Sequence, residues 1–114
     1  MADAGGRAAE FAVAEYLRAL SWRVLAQRLR TKAGEVDLVA TRDGLLLLGE
    51  VKLRASHESA SFALSPRQRE RLLQAGALIL AEHPDWGASG VRFDVFLVDH
   101  QGCIAQIEDA IRDM

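Results

Sequence analysis

Asp43-Gly44 sits between two long apolar runs, and it constrains this chain more than any other feature. An Asp-Gly pair suits a two-residue turn with positive φ at both positions, and is among the strongest local hairpin signals. The flanking runs, residues 35–41 and 45–53, then become neighbouring antiparallel strands. If Arg42 pairs with Leu45, Asp37 falls opposite Glu50 and Glu35 opposite Lys52. A four-residue loop gives the same register, whereas a three-residue loop puts Glu50 on the other face. In the first register Glu35, Asp37, Glu50 and Lys52 share one side of the sheet, because side chains alternate.

Carboxylates facing each other across a ladder repel. They share a proton or bind a cation. A divalent ion between Asp37 and Glu50 relieves the repulsion, and oxygen donors without Cys or His favour Mg²⁺ or Mn²⁺ over Zn²⁺. Lys52 then orients an attacking water or offsets charge on a phosphate. The bland reading is a surface Glu35–Lys52 ion pair worth ~0–1 kcal/mol and two solvated carboxylates. Against it, the charges interrupt strongly apolar strands: Val36, Leu38 and Val39 on one side, Leu45–Leu48, Val51 and Leu53 on the other.

The remaining pattern predicts an α/β domain of order α-β-β-β-α-β-β, with a mixed sheet and flanking helices. Residues 7–20 place Ala9, Val13, Tyr16, Leu17 and Leu20 on one helical stripe. Glu10 lies on the face of Val13, Ala14 and Leu17 and points toward the carboxylates. Residues 22–30 suit a strand and residues 54–64 a loop. Ser65-Pro66-Arg67-Gln68 opens a second helix: Ser65 caps it, Pro66 takes the first position, and Gln68 closes a capping box. Leu72, Leu73, Ile79 and Leu80 give this helix its apolar face, and His83-Pro84 ends it. Strands over residues 91–98 and 103–107 follow.

The chain's 114 residues fit one domain, 1–114, and 50% hydrophobic content argues against disorder. A single cysteine, Cys103, fits a reducing compartment. No apolar run approaches the ~18 residues of a membrane span. No basic-then-apolar leader opens the sequence, so a cytoplasmic protein with no membrane partner is expected. Net charge is −2, yet residues 1–75 carry 12 basic and 9 acidic groups, so a basic face remains open.

Several blocks, in order, resemble the YraN-like family of small bacterial proteins over nearly the whole chain. They are Gly6-Arg7-Ala8-Ala9-Glu10, Glu15-Tyr16-Leu17, Gly34-Glu35-Val36-Asp37-Leu38-Val39-Ala40, Glu50-Val51-Lys52-Leu53-Arg54, Ser65-Pro66-Arg67-Gln68 and Arg92-Phe93-Asp94-Val95. That family is placed in the PD-(D/E)xK nuclease superfamily, with restriction endonucleases and archaeal Holliday junction resolvases as relatives. The resemblance implies a restriction-endonuclease-like core. It makes Asp37 and Glu50 metal ligands, the Val51 carbonyl a further ligand, Lys52 the catalytic lysine and Glu10 the helix-borne acid. Three positions depart from the family pattern. Gly49 replaces a bulky apolar residue, Ser21 replaces a glycine after the first helix, and Arg67-Gln68-Arg69 stands where many members have Lys-Gln. A glycine inside a strand weakens the ladder or marks a close backbone approach.

Arg67 and Arg71 share a helix face and either hold a phosphate with Gln68 or form a solvated surface. Arg23, Arg28, Arg30 and Lys32 flank a nucleic-acid groove or form a charged strand edge. Phe62 stacks on a base or packs on the core. Asp94, mid-strand between Phe93 and Val95, pairs with Arg92 or braces the fold, a structural role favoured over a catalytic one. Three scattered histidines make no ligand set, and Cys103 is a small buried hydrophobe in a strand.

The expectation is a Mg²⁺- or Mn²⁺-dependent endonuclease acting on nucleic acid, DNA favoured, and selective for branched structure rather than sequence. Glu10 and Glu35 would adjust a second metal or the first metal's water shell. A homodimer would suit two-strand cutting. The competing expectations are a non-catalytic nucleic-acid-binding module with a degenerate site, or a protein-interaction domain.

Overall fold

A run of four leucines, Leu45–Leu48, cannot alternate between core and solvent, and the fold buries its strand on both faces. The computed structural model describes residues 4–54 and 64–111. Helix α1 (Ala4–Ala19) is followed by β1 (Arg23–Thr31), β2 (Gly34–Arg42) and β3 (Leu45–Leu53). Helix α2 (Pro66–Glu82), a 3-10 turn (Pro84–Gly87), β4 (Gly90–Val98) and β5 (Ile104–Ile107) complete the order. The expected α-β-β-β-α-β-β order therefore holds.

The strands form one sheet in the order β1-β2-β3-β4-β5. Strand β3 pairs antiparallel with β2 and parallel with β4; the other pairs are antiparallel. The parallel pair needs a crossover, and α2 supplies it. This mixed sheet flanked by helices is consistent with a restriction-endonuclease-like fold. On one face, Ala9, Val13, Ala14 and Leu17 of α1 meet Leu38, Ala40, Leu47, Phe96 and Val98. On the other, Leu72, Ala75 and Ile79 of α2 meet Val36, Val39, Leu46, Leu48, Phe93, Val95 and Leu97. Among the described residues no helix is long and apolar enough to cross a membrane.

The local signals are realised closely. Asp43 and Gly44 have φ of 53° and 80°, so both take the left-handed conformation of a tight hairpin, and Arg42 pairs with Leu45 as expected. The Ser65 hydroxyl accepts the Gln68 N–H and the Gln68 side chain accepts the Ser65 N–H, closing the capping box.

Other details differ from expectation. Helix α1 stops at Ala19, and Leu20 is exposed in the turn rather than on the buried stripe. The reason is Ser21, whose φ of 70° reverses the chain so that the Trp22 N–H caps the Leu17 carbonyl. The buried face of α2 is Leu72, Ala75, Gly76 and Ile79, and Leu73 is exposed. Gly49 admits a side chain rather than a backbone: a Cβ there would stand 2.9 Å from the Phe96 ring. Cys103 is exposed just before β5, not buried within it. His57, Phe62 and most of the expected loop over 54–64 lie outside the described residues.

Candidate active site

The carboxylates gather where the sheet opens. Pairing between β2 and β3 runs from Arg42–Leu45 to Leu38–Gly49 and ends there. The expected Asp37–Glu50 and Glu35–Lys52 ladder pairs are therefore not formed. Arg28 has a φ of 54°, and the β1–β2 register passes from Gln27–Leu38 to Leu29–Val36 without pairing Arg28 and Asp37. A left-handed residue breaks the alternation of a strand. Within β2, Val36 joins the α2-side core while Leu38 joins the α1-side core, so β2 does not alternate regularly between them. Asp37 sits at the residue where β2 changes face.

Freed from the ladder, Asp37 turns toward β3, and its Oδ2 accepts the Val51 N–H at 2.8 Å. The N–H and C=O of one residue leave a strand on the same edge, so the Val51 carbonyl also faces this gap. Glu50 is 5% exposed and faces α2. Its Oε1 accepts Arg71 Nη2 at 2.8 Å, and Lys52 Nζ lies 3.4 Å from Oε2. Arg71 reaches it across Gly34, where a Cβ would stand 2.7 Å from Arg71 Cδ. On the α1 side Glu10, 8% exposed, accepts Arg28 Nε at 2.6 Å.

Burial pushes the Asp37 carboxyl up to about 6, and the like charges of Glu50 and Glu10 push the same way. The Val51 hydrogen bond and Lys52 oppose the rise without cancelling it. A carboxyl held this way gains from any cation brought beside it. The Glu10 hydrogen bond in turn raises the Arg28 pKa.

Among the described residues, no group of three or more His, Cys, Asp and Glu side chains is placed to hold a metal. The available donors are the Asp37 and Glu50 carboxylates and the Val51 carbonyl. That oxygen set, completed by solvent or phosphate oxygens, fits Mg²⁺ or Mn²⁺, which keep several waters and take few protein carboxylates.

The structure thus brings together Asp37, Glu50, Val51 and Lys52, with Glu10 on the far side. Glu35 stands apart, exposed, with Arg30 Nη2 3.5 Å from its Oε2. Among the expected phosphate contacts, Arg67, Arg30 and Lys32 are exposed. Gln68 is engaged in its cap, and Arg71 is committed to Glu50 rather than open to a phosphate. The Arg71–Glu50 contact and the left-handed Arg28 escaped sequence reasoning. Neither has a local signal, since both partners come from distant elements.

Asp94 braces the fold as expected. Buried at 1% exposure, it accepts two hydrogen bonds from Arg92 and one each from Gln106 Nε2 and the Asp109 N–H. The Tyr16 hydroxyl donates to Gln106 and ties α1 into this network.

Residues 9–98 match the uncharacterised protein family UPF0102. A UPF0102 protein of Granulibacter bethesdensis is 49% identical over 111 residues, covering 97% of this chain and 70% of that protein. Those of Azorhizobium caulinodans, 49% identical over 96% of this chain and 83% of the relative, and Acidiphilium cryptum, 48% identical over 97% and 86%, are similar throughout.

Proposed function

The chain belongs to the uncharacterised protein family UPF0102, the YraN-like family its sequence blocks resemble, and we propose that it is a metal-dependent endonuclease of the PD-(D/E)xK type. The substrate is nucleic acid, DNA in the first place, recognised by branched or open structure. The observation that carries this reading is Asp37: a carboxyl released from its ladder, aimed into the gap beside Glu50 and held near 6 by burial and like charge.

Asp37, Glu50 and the Val51 carbonyl would hold Mg²⁺ or Mn²⁺. When bound, the cation would supply Lewis-acid polarisation of a phosphate and neutralise its charge. Lys52, two residues beyond Glu50 on the same side of β3, positions the attacking water and offsets charge that builds on the phosphate. Asp37 keeps its orientation through the Val51 N–H. Glu10 anchors Arg28 and adds negative charge beside Asp37. Arg71 holds Glu50 against α2, so it is a positioning residue.

A second reading, a nucleic-acid-binding module with a degenerate site, draws on one observation: both oxygens of Glu50 already face cations, Arg71 and Lys52. Calorimetric Mn²⁺ titration of wild type and Asp37→Asn separates the two, paired with Mg²⁺-dependent cleavage of a branched DNA. Metal binding and cleavage, both lost in the variant, support the nuclease. DNA binding that ignores both Mg²⁺ and the substitution supports the module.

A further inference from the structure

We propose that the hollow between the first turns of α1 and the middle of β1 binds an unpaired nucleotide of a single strand, with Phe11 as its stacking surface. The assignment of substrate class rests on the nuclease reading, because it is the neighbouring carboxylate site that would act on the strand.

Phe11 is 59% exposed, the most open of the large apolar side chains among the described residues. It belongs to neither hydrophobic core. With Arg7, Glu10, Gln27 and Arg28 it lines a hollow of about 360 Å³. Arg7 and Phe11 are four residues apart and share one face of α1. Two guanidinium groups, Arg7 and Arg28, therefore flank one open aromatic ring, and Arg30 lies 85% exposed further along β1.

A flat apolar ring beside Arg7 and the Glu10-paired Arg28 is a poor fit for a hydrophobic protein partner and a good one for a nucleotide. Its base has a π face for Phe11 and its phosphates have charge for the arginines. A base paired within a duplex cannot offer that face, so the hollow selects unpaired strands.

The hollow also has the right neighbour. Glu10, which lines it, holds Arg28 at 2.6 Å and acts electrostatically on Asp37. A nucleotide stacked on Phe11 would lie next to Glu10, the residue that links this hollow to Asp37. Junctions, flaps and single-stranded ends supply such a nucleotide; an intact duplex does not.

The test is fluorescence anisotropy in EDTA buffer with the full chain. The probes are a labelled oligo-dT of about ten nucleotides and a blunt duplex hairpin, set against wild type, Phe11→Ala and Phe11→Trp. Losing one stacked base corresponds to about five- to 150-fold in affinity. Phe11→Ala should weaken oligo-dT binding within that range and leave the duplex within about twofold, while Phe11→Trp restores oligo-dT binding. Equal oligo-dT affinity in wild type and Phe11→Ala overturns the proposal, as does an equal loss on both probes. Thermal melts of the variants check the fold. Because metal is absent, the outcome is separate from that of the nuclease reading. Phe11-dependent binding in a protein that never binds Mn²⁺ leaves the stacking site standing and removes the nuclease. Asp37-dependent cleavage with Phe11-independent binding does the reverse.

Discussion

Replacing Asp37 by Asn should make the metal-free protein more stable at neutral pH, not less. Burial and the charges of Glu50 and Glu10 hold this carboxyl near 6 in the folded chain, against about 3.9 in an unfolded one. A group with a raised folded pKa contributes its full stability below the unfolded pKa. That contribution is lost as pH rises toward the folded pKa. Between about pH 4 and 6 the unfolded chain releases a proton that the folded chain retains, so stability falls across this window and then levels. At about 1.4 kcal/mol for each pH unit of that window, the fall is about 3 kcal/mol. Asn keeps a carbonyl to accept the Val51 N–H and carries no charge to bury. The variant should therefore gain about 2–3 kcal/mol over wild type at pH 7.5, or roughly 8–12 °C in Tm, and almost nothing at pH 3.5. Urea unfolding in EDTA at several pH values measures this. Millimolar Mg²⁺ should then narrow the gap by stabilising wild type alone. A variant less stable than wild type at pH 7.5, or a gap that does not change with pH, would refute the electrostatic account of the site.

Three further outcomes follow from the packing. Ser21→Gly should raise stability by about 1 kcal/mol, seen as a higher urea midpoint, because Ser21 holds a left-handed φ of 70° at the end of α1. Gly49→Ala should cost about 1–3 kcal/mol in the same assay, since its Cβ would lie 2.9 Å from the buried Phe96 ring. Asp94→Ala should cost about 3–5 kcal/mol and loosen the β4–β5 region in hydrogen exchange, because it leaves half-buried Arg92 with only the longer Glu108 contact at 3.6 Å and Gln106 without its acceptor.

Much of the fold was legible locally. Asp43-Gly44 predicts its own turn because only a few residues accept positive φ twice in succession, and that turn sets the β2–β3 register. Ser65, Pro66 and Gln68 predict the start of α2 because capping is chemistry within one turn of helix. The blocks around Asp37, Glu50 and Lys52 pointed to the opening that the proposed function uses. What failed was extrapolation. A regular ladder carried past Gly49 puts Asp37 across from Glu50 and Glu35 across from Lys52. The actual chain stops pairing there.

The elements, their order, the hairpin register and the identity of the central acids were thus written in local patterns. Each depends on residues within a few positions of one another, or on a period that a single strand or helix carries. How the acids meet was settled only by packing in three dimensions. Pairing between β2 and β3 ends at Leu38–Gly49, Asp37 turns to the Val51 N–H, and Glu10 from α1 holds the left-handed Arg28. Arg71 crosses Gly34 from α2 to claim Glu50, and burial between two layers raises the Asp37 pKa. Desolvation and long-range charge depend on what packs overhead, and no local pattern encodes that.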